Sequence, residues 1–379
     1  MKERIEVLFC IDAMTRGGTE LQLRGLLDHL DRDRFAPHLC TLRAGDPLVA
    51  PADLPHLDWR VAGLLRPGGL LAIRRLAGYL REHAIDVVQT YHPDSTAFGG
   101  TAAWLAGVPV RVASFRDLGF WRRPLQVVLL RQVYRRMTGF MANSSAVRDH
   151  VCAADGLDPR RVQVIPNGID PEAFVYREPE TSPRVVGILA NLNRPVKRVD
   201  LFVEAAGRLG RDFPDVTWEI AGEGRLRAQL EHRAAELDIS RRMRFLGRRD
   251  DVREILARWD VGVLCSDSEG FSNALLEYMA SGCAAVATAV GGNVDAIRDR
   301  ENGLLVRPDD AEGLAAAVRE LLRTEGLAGR LAARARRDLV QRFSWEACAR
   351  AHEEYYVEQL ESRPGRRRVA GASTGARLD

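Results

Sequence analysis

The segment 269–277, Glu-Gly-Phe-Ser-Asn-Ala-Leu-Leu-Glu, begins and ends with a glutamate. Between Glu269 and Glu277 its sequence predicts a turn followed by the start of a helix. Gly270 lets another group approach the backbone, and Ser272 is a favoured N-cap for a helix predicted over residues 273–281. The first amides of that helix favour an anion. We predict that Glu269 faces a sugar and that Glu277 accepts hydrogen bonds from two vicinal hydroxyls. The alternative is a capped helix with two surface carboxylates.

Three cations lie close together in the segment 190–198, Ala-Asn-Leu-Asn-Arg-Pro-Val-Lys-Arg. Arg194, Lys197 and Arg198 follow an apolar run, at a predicted strand-to-helix turn. A diphosphate leaving group needs such charge where no metal is evident, because negative charge builds on it in the transition state. A solvated basic turn is the alternative.

Glycine turns follow several apolar runs of the chain. Gly17-Gly18 comes after the first run and precedes a helix from Glu20 to Leu30, and Gly222-Glu223-Gly224 and Gly291-Gly292 repeat the arrangement. The first doublet does not fit Gly-x-Gly-x-x-Gly, so the dinucleotide fingerprint is absent. One glycine pair punctuates many ordinary loops, but several at equivalent positions favour a ligand-binding edge.

Two further polar residues follow neighbouring apolar runs in the first half of the chain. His92 comes after the run 86–90 and Arg116 after the run 110–114. Loops at such positions carry chemistry more often than cores do, and Arg116 suits a phosphate or an acidic acceptor. The alternatives are a structural or solvated histidine and a surface pair between Arg116 and Asp117.

The elements that must position these residues are short apolar runs alternating with amphipathic, helix-length segments. Continuously apolar strands separated by helices indicate parallel sheets that are covered on both faces, and two sets in series predict two doubly wound α/β domains. Ligands bind such sheets at the carboxyl ends of the strands, so two facing domains would form one interdomain cleft. The predicted strands are 5–11, 38–42, 86–90, 110–114, 139–143, 162–165, 185–189, 217–221, 243–246, 261–265, 284–289 and 303–306.

The stretch 170–184 is the best candidate for a domain boundary, because it contains three prolines and no apolar period. We predict a first domain over 1–178 and a second over 183–345. A helix follows from Ser344 to about Leu360, and 346–362 is assigned to it. The tail 363–379 is rich in Gly, Ser, Pro and Arg, which predicts disorder.

Charge and cysteine usage exclude several classes of function. The net charge is +3, and the tail carries five arginines and one aspartate, so the rest of the chain is nearly neutral and a nucleic-acid partner is not indicated. The six cysteines form no Cys-x-x-Cys pair, and no histidine cluster has metal spacing. We expect no metal, no cofactor and a reduced, cytoplasmic protein.

Any membrane contact is expected to be peripheral, since no stretch has the length and apolarity of a membrane span. The segment 120–140 carries five arginines and no acid among apolar residues at roughly helical spacing. Such a helix suits the anionic inner face of a membrane. A core-facing helix with solvated arginines is the alternative.

Over about residues 5–360, the chain resembles the retaining GT-B glycosyltransferases of the group 1 or family 4 type. The markers that carry the resemblance are Gly17-Gly18-Thr19-Glu20, Ala142-Asn143-Ser144, Ile165-Pro166-Asn167-Gly168-Ile169-Asp170, Lys197, Gly222-Glu223-Gly224, the pair Glu269 and Glu277, and Gly291-Gly292.

The resemblance implies an acceptor-side first domain, a second domain that binds the nucleotide sugar, and a final helix that crosses back to the first domain. It implies that Glu277 holds the ribose, and that His92 and Glu269 contact the transferred sugar as the catalytic residues. Arg116 and Asn143 are the acceptor-side candidates. The residues implied for donor binding are Gly17, Gly18, Asn191, Arg194, Lys197, Gly222, Phe271, Ser272, Asn273, Ala274 and Glu277.

Two positions depart from the family pattern. Asn191 stands where the family usually has an arginine, so either Arg194 supplies the missing charge or the diphosphate is held less tightly. Arg198 stands where a glycine usually follows the lysine.

The implied activity is metal-independent transfer of a sugar from a nucleotide-diphosphate sugar to a glycan or lipid-linked acceptor, with retention, in cell-surface or exopolysaccharide synthesis. Two alternatives share the architecture. One is a sugar-nucleotide epimerase, because fold does not fix function. The other is a non-catalytic partner subunit, suggested by Asn191.

Overall fold

The computed structural model describes residues 4–61, 67–119, 124–180 and 182–362. Within them the chain forms two compact units. The first unit contains residues up to 142, residues 148–165 and the chain from 348 onward, and the second contains residues 143–147 and 166–347. The tail 363–379 and residues 120–123 of the predicted membrane segment lie outside the described residues.

The first unit is built on a parallel sheet with the strand order β3-β2-β1-β4-β5-β6-β7. Its inner strands are largely buried, as the unbroken apolar runs predict, whereas the two edge strands are partly exposed. They are β1 (Ile5–Ile11), β2 (Phe35–Thr41), β3 (His56–Asp58), β4 (Val87–Thr90), β5 (Val110–Phe115), β6 (Gly139–Ala142) and β7 (Val162–Val164). The helices between them are α1 (Gly18–His29), α2 (Pro67–Glu82), α3 (Pro93–Ala106), α4 (Pro124–Tyr134) and α5 (Ser145–Asp155).

The second unit contains a parallel sheet with the strand order β10-β9-β8-β11-β12-β13. Its strands are β8 (Val185–Leu189), β9 (Thr217–Ala221), β10 (Met243–Gly247), β11 (Val261–Leu264), β12 (Ala284–Thr288) and β13 (Leu304–Val306). The helices are α6 (Val199–Leu209), α7 (Arg227–Glu236), α8 (Val252–Leu256), α9 (Asn273–Ser281), α10 (Asn293–Ala296), α11 (Ala311–Arg323) and α12 (Leu327–Arg342). The two sheets confirm the predicted pair of doubly wound domains.

Each sheet has a point at which the strand order reverses. In the first unit it lies between β1 and β4, and in the second between β8 and β11. The loops that follow these strands diverge and leave a crevice at the carboxyl edge, where ligands bind in doubly wound sheets. The fold therefore directs attention to the loops after these four strands.

The last helix, α13 (Trp345–Glu361), joins the second unit to the first along the chain. Trp345 packs on Gly168 in the second unit, where a β carbon on the glycine would lie 2.3 Å from the indole. Residues from Cys348 onward belong to the first unit, where the Tyr356 hydroxyl donates to Gln89. The prediction that this helix crosses back to the first domain is confirmed.

The segment 170–184 packs on the second unit. Arg177 donates to the carbonyl of Ala257 and to Asp260, both at 2.8 Å. Because of these bonds, the contacts divide the chain after Ile165, upstream of the boundary that the prolines suggested.

Sequence patterns predicted the strands well, with two differences. β2 begins at Phe35, three residues before the predicted start. The prediction began too late because Pro37 lies inside the strand, and proline in a sequence argues against a strand. β3 was not predicted, since three residues of alternating polarity at a sheet edge leave no apolar run.

Candidate functional site

Lys197 and Glu269, which the sequence placed in separate segments, lie in contact at the reversal point of the second sheet. The Lys197 ammonium is 2.6 Å from Glu269 Oε1, and the Ser266 hydroxyl donates to the same oxygen at 2.6 Å. Both charged side chains are shielded, at 19% and 10% exposure. A lysine ammonium has three donors, so this pair leaves two for a ligand.

The use of lysine at this position is notable in itself. The chain has 55 lysines and arginines, and only Lys2 and Lys197 are lysines. An ammonium is a compact point charge on a flexible stem, whereas a guanidinium is a planar fork. An arginine-rich chain that keeps a lysine here favours a requirement for the compact charge.

The helix start after β11 has the predicted geometry. α9 runs from Asn273 to Ser281, and the Ser272 hydroxyl accepts a hydrogen bond from the Leu275 amide at 3.4 Å. The Phe271 side chain is buried and packs on Phe343, with ring centroids 5.5 Å apart.

The donor-binding predictions for Phe271 and Asn273 concern a turn that Asn167 holds from one side. Asn167 Nδ2 donates to the Phe271 carbonyl at 3.3 Å and to Asn273 Oδ1 at 2.6 Å. These contacts hold the turn in place, so at Phe271 the backbone is the part left for a ligand. The amides of this first turn, Ala274 among them, remain the group suited to an anion.

Glu277, on the next turn of α9, reaches a cavity of about 570 Å³. Burial raises the pKa of its carboxyl to about 7, against an opposing effect of Arg253. The volume is in the range of small-molecule sites. The lining residues are Leu189, Ala190, Asn191, Asn193, Ala221, Gly222, Glu223, Gly224, Arg248, Arg249, Val252 and Glu277. The structure thus groups three predicted donor residues, Asn191, Gly222 and Glu277, around one cavity.

Two of the predicted glycine turns have a steric cause. A β carbon on Gly222 would lie 1.7 Å from the Ala190 carbonyl oxygen, so the glycine lets the loop after β8 pass close to the loop after β9. Gly291 has φ +52, and its β carbon would lie 1.8 Å from the Glu269 carbonyl oxygen. The Gly291-Gly292 turn after β12 therefore packs directly against the backbone of the loop that carries Glu269.

The three predicted cations differ in their surroundings. Arg194 is exposed, and its side chain makes no ion pair with another described residue. Arg198 instead pairs with Asp200, Asp267 and Asp309 at 2.7–3.0 Å. We correct the prediction that Arg198 supplies charge for a diphosphate, because three carboxylates already surround its guanidinium.

Sequence reasoning missed the cavity wall that follows β10. Arg248, Arg249 and Val252 line it, and Arg249 is paired with Asp251. The strand 243–246 was predicted, so the residues that follow its carboxyl end could have been identified as candidates for the site. Ser266, buried beside Glu269, was also missed, since a lone serine after a strand has no distinctive pattern.

In the first unit, His92 and Arg116 line the same small cavity. His92 follows β4 and caps α3, and Arg116 follows the neighbouring strand β5. The cavity has a volume of about 30 Å³, room for one or two waters. Burial lowers the pKa of the Arg116 guanidinium. The lining residues are Tyr91, His92, Pro93, Thr96, Ser114, Phe115, Arg116, Asp117, Gly119, Tyr134 and Val151.

A buried hydrogen-bond network lies behind this cavity. Gln89 Nε2 donates to the Tyr91 hydroxyl at 2.9 Å and to the Ser114 hydroxyl at 2.8 Å, and its oxygen accepts from Tyr356. Tyr91 and Ser114 both line the cavity. The last helix thus helps to fix the His92 edge of the sheet.

The remaining candidates of the first half lie apart from that cavity. Gly17 caps α1, whose first residue is Gly18, at the end of β1. Asn143 is buried at 3% exposure and groups with the second unit. The acceptor-side role of Asn143 stays a prediction, although the residue belongs to the second unit and not to the first domain in which it was predicted.

Among the residues that the structure describes, no group of three or more His, Cys, Asp and Glu side chains is arranged to hold a metal ion. No described helix combines the length and the apolarity that crossing a membrane requires.

Comparison with known families and proteins gives concordant matches. The family "Glycosyltransferase Family 4" matches residues 16–173, and "Glycosyl transferases group 1" matches residues 183–324. The phosphatidyl-myo-inositol mannosyltransferase of Mycolicibacterium smegmatis is 30% identical over 282 residues, which are 72% of this chain and 71% of that protein.

A second relative is the lipopolysaccharide core biosynthesis glycosyltransferase LpsE of Rhizobium meliloti, 36% identical over 209 residues. The match covers 54% of this chain and 59% of LpsE, so it spans about three fifths of that relative. Among solved structures, Anabaena HepE in complex with UDP has a TM-score of 0.81 at 20% identity, over 93% of this chain and 99% of HepE. That likeness shows the fold alone.

Proposed function

The chain belongs to the glycosyltransferases of group 1 and family 4, with a two-domain GT-B fold, and from this premise we propose that it transfers a sugar from a nucleotide-diphosphate sugar to a glycan or lipid-linked acceptor. The transfer proceeds with retention at the anomeric carbon and without a metal. The nucleotide sugar binds to the second unit.

One observation carries the proposal: the second sheet presents a carboxylate, a cation and a helix start together at its reversal point. Glu277 reaches a cavity of about 570 Å³, and the helix that bears it begins beside Glu269, which contacts Lys197. A ribose diol suits the carboxylate, and a diphosphate suits the ammonium and the helix amides. Complexes of HepE with UDP and with UDP-glucose are compatible with this assignment.

In the proposed reaction, the bond from the anomeric carbon to the diphosphate breaks as the acceptor hydroxyl attacks from the same face. Lys197 and the first amides of α9 stabilise the charge that develops on the leaving oxygen. That diphosphate oxygen accepts the proton of the acceptor. Glu269 and His92 bind hydroxyls of the transferred sugar and hold its ring in the reactive orientation.

The class of acceptor is a cell-surface glycan or its lipid-linked precursor. LpsE is named for lipopolysaccharide core biosynthesis, and the Bacillus subtilis relative, at 26% identity, is named as the putative glycosyltransferase EpsF. Arg116, half-buried at the His92 cavity, suits an acidic group on such an acceptor.

A peripheral contact with an anionic membrane accompanies this proposal. The helix α4 exposes Val128 at 55% and Leu129 at 39%, and Arg131 and Arg135 are exposed on the same segment. Apolar side chains beside arginines suit the headgroup region of an anionic bilayer. The protein would then act at the inner face of the membrane.

The proposal is tested by incubating the full-length protein with a panel of nucleotide sugars and measuring release of the nucleoside diphosphate. The panel is run first without an acceptor and then with lipid-linked glycans. We expect acceptor-dependent release from one donor class and a product with the anomeric configuration of the donor. An epimerised nucleotide sugar formed without an acceptor contradicts transfer, and absence of diphosphate binding favours a non-catalytic subunit.

A further inference from the structure

Arg198 is unusual at the carboxyl edge of the second sheet in both its backbone and its side chain. Its φ is 46° and its ψ is 43°, in the left-handed region. A β carbon makes this conformation costly, so residues other than glycine hold it only where the surrounding structure enforces it. The residue also lies directly after Lys197 and directly before helix α6.

The Arg198 guanidinium connects three segments of the second unit. It lies 3.0 Å from Asp200 in the first turn of α6, 3.0 Å from Asp267 in the loop after β11, and 2.7 Å from Asp309 in the loop after β13. The side chain is only 22% exposed. Asp309 itself has φ +59, so the shortest of these ion pairs joins two residues in left-handed conformations.

The residues that make these contacts are close in sequence to both members of the Lys197–Glu269 pair. Asp267 precedes Glu269 by two residues, and its amide donates to the Val196 carbonyl at 2.9 Å. The Cys265 thiol donates to the Arg198 carbonyl at 3.0 Å. The turn that carries Lys197 and the loop that carries Glu269 are therefore joined by backbone, thiol and ion-pair contacts.

We propose that Arg198 is a positioning residue of the donor site: its ion pairs with Asp200, Asp267 and Asp309 hold the Lys197 turn and the Glu269 loop in the arrangement that binds a diphosphate. Arg198 does not bind phosphate itself, because three carboxylates already satisfy and neutralise its guanidinium. The inference rests on the proposed function, since it assigns a role within the same site.

The test compares Arg198→Gly with a matched control, Arg300→Gly. Arg300 also has positive φ (+63) and an ion pair, with Glu320 at 2.8 Å, and it does not line the donor cavity. Both substitutions relieve a left-handed backbone and remove arginine ion pairs, and thermal unfolding of each variant shows whether it is folded at the temperature of the binding measurement. In calorimetry with UDP, GDP and ADP, we expect Arg198→Gly to raise the Kd of the tightest ligand about tenfold and Arg300→Gly to leave it unchanged.

A spectroscopic readout separates positioning from a general loss of folding. Because Lys2 and Lys197 are the only lysines, the full-length protein labelled with ¹⁵N-lysine gives two backbone amide signals from lysine. The Lys197 signal is expected to shift in Asp309→Asn, where the substitution is remote in sequence, and to stay in place in Arg300→Gly. A shift in Arg198→Gly follows from the adjacent substitution alone and does not count for the inference. Asp309→Asn keeps Arg198, so it carries the test if Arg198→Gly does not fold.

Conservative rescue completes the design. Arg198→Lys keeps the backbone constraint and one charge but loses the fork that spans several carboxylates, so its Kd should lie between those of wild type and Arg198→Gly. Wild-type affinity in Arg198→Gly, with an unmoved Lys197 signal in Asp309→Asn, overturns the inference. If wild type binds none of the three diphosphates, the proposed function fails, and the Lys197 signal alone then decides whether Arg198 positions this turn.

Discussion

The candidate residues of the two units occupy the same topological place but differ in how they are held. In the second unit, Lys197 and Glu269 form a direct ion pair at the reversal point, and Glu277 lines a cavity of about 570 Å³. In the first unit, His92 and Arg116 flank a cavity of about 30 Å³, backed by neutral hydrogen bonds. The site in the second unit is thus held by an ion pair, and the site in the first unit is supported by a buried network of neutral hydrogen bonds.

This difference fits a division of roles. A nucleoside diphosphate has constant chemistry, so a site with a fixed cation, a helix start and a carboxylate can be built for it in advance. An acceptor varies in its sugar, its linkage and its carrier. A small cavity lined by His92, Ser114 and Arg116 would make fewer contacts with an acceptor than the second unit makes with a diphosphate. Variants in the two units should therefore separate binding of the donor from transfer.

The largest effect is expected for Lys197→Ala. Loss of the ammonium removes stabilisation of the leaving diphosphate, and we expect kcat to fall about 10²- to 10³-fold. Lys197→Arg should restore little of it, because the fork replaces a point charge at a shielded position. Steady-state kinetics with the preferred donor measures both, and Arg300→Gly serves as the control. A kcat within twofold of wild type in Lys197→Ala would break the assignment of the donor site.

The next largest effect is expected for His92→Ala. Because His92 lies in the first unit, this variant tests whether the two units have separate roles. We expect transfer to fall about 10- to 100-fold through loss of an orienting hydrogen bond to the sugar. The Kd for the nucleoside diphosphate should stay unchanged. His150→Ala, elsewhere in the same unit, is the control for histidine loss. Weaker diphosphate binding in His92→Ala, with transfer intact, is the contrary outcome.

A smaller effect is expected from pH, through Glu277. Burial raises the pKa of this carboxyl to about 7, so it is largely protonated below that pH. If the carboxylate accepts the ribose hydroxyls, donor affinity rises with pH and levels off above 7, and at pH 6 it is about tenfold weaker than at pH 8. Glu277→Gln should bind weakly at every pH and lose this dependence. Calorimetry from pH 6 to pH 8 checks it, and an affinity that falls as pH rises would exclude this role.

The same shift makes a prediction for stability. The folded pKa of Glu277 lies above its unfolded value, so the folded state holds a proton between about pH 4.5 and 7 that the unfolded chain releases. The contribution of this group to stability therefore falls as pH rises through that window, and Glu277→Gln removes the fall. Urea unfolding at pH 5 and pH 7.5 measures it.

The smallest effect on donor binding is expected for Tyr356→Phe, which removes a hydroxyl from the network behind the His92 cavity. The Gln89 oxygen loses a buried donor, and we expect a loss of about 1–2 kcal/mol in unfolding free energy. Diphosphate affinity should be unaffected, because all of these residues lie in the first unit. Tyr355→Phe on the same helix is a matched control. An equal loss of diphosphate affinity in Tyr356→Phe would remove the contrast between the two units.

Much of this arrangement could be predicted from the sequence. The apolar runs gave both sheets, and Ser272 gave the start of α9 at the residue where it begins. Residues that follow parallel strands share one edge, which is why Lys197, Glu269 and Glu277 could be assigned to one site. These are consequences of local pattern and sheet geometry.

Side-chain partners were the part that sequence could not supply. Arg198 was grouped with the diphosphate cations, because its three aspartates lie up to 111 positions away along the chain. Asn143 follows a strand of the first sheet, yet its segment packs with the second unit. Phe271 lies within a segment predicted to bind the donor, and its side chain fills the core against Phe343. In each case a long-range contact overrides what the neighbouring sequence indicates.

The most direct test of the central claim is release of nucleoside diphosphate from the preferred nucleotide sugar by wild type, Lys197→Ala and Glu277→Ala, with Arg300→Gly as the control. The donor site of the second unit predicts that both site variants lose most of the release and that Arg300→Gly retains it. Wild-type release in both Lys197→Ala and Glu277→Ala would contradict the assignment of the donor to this site.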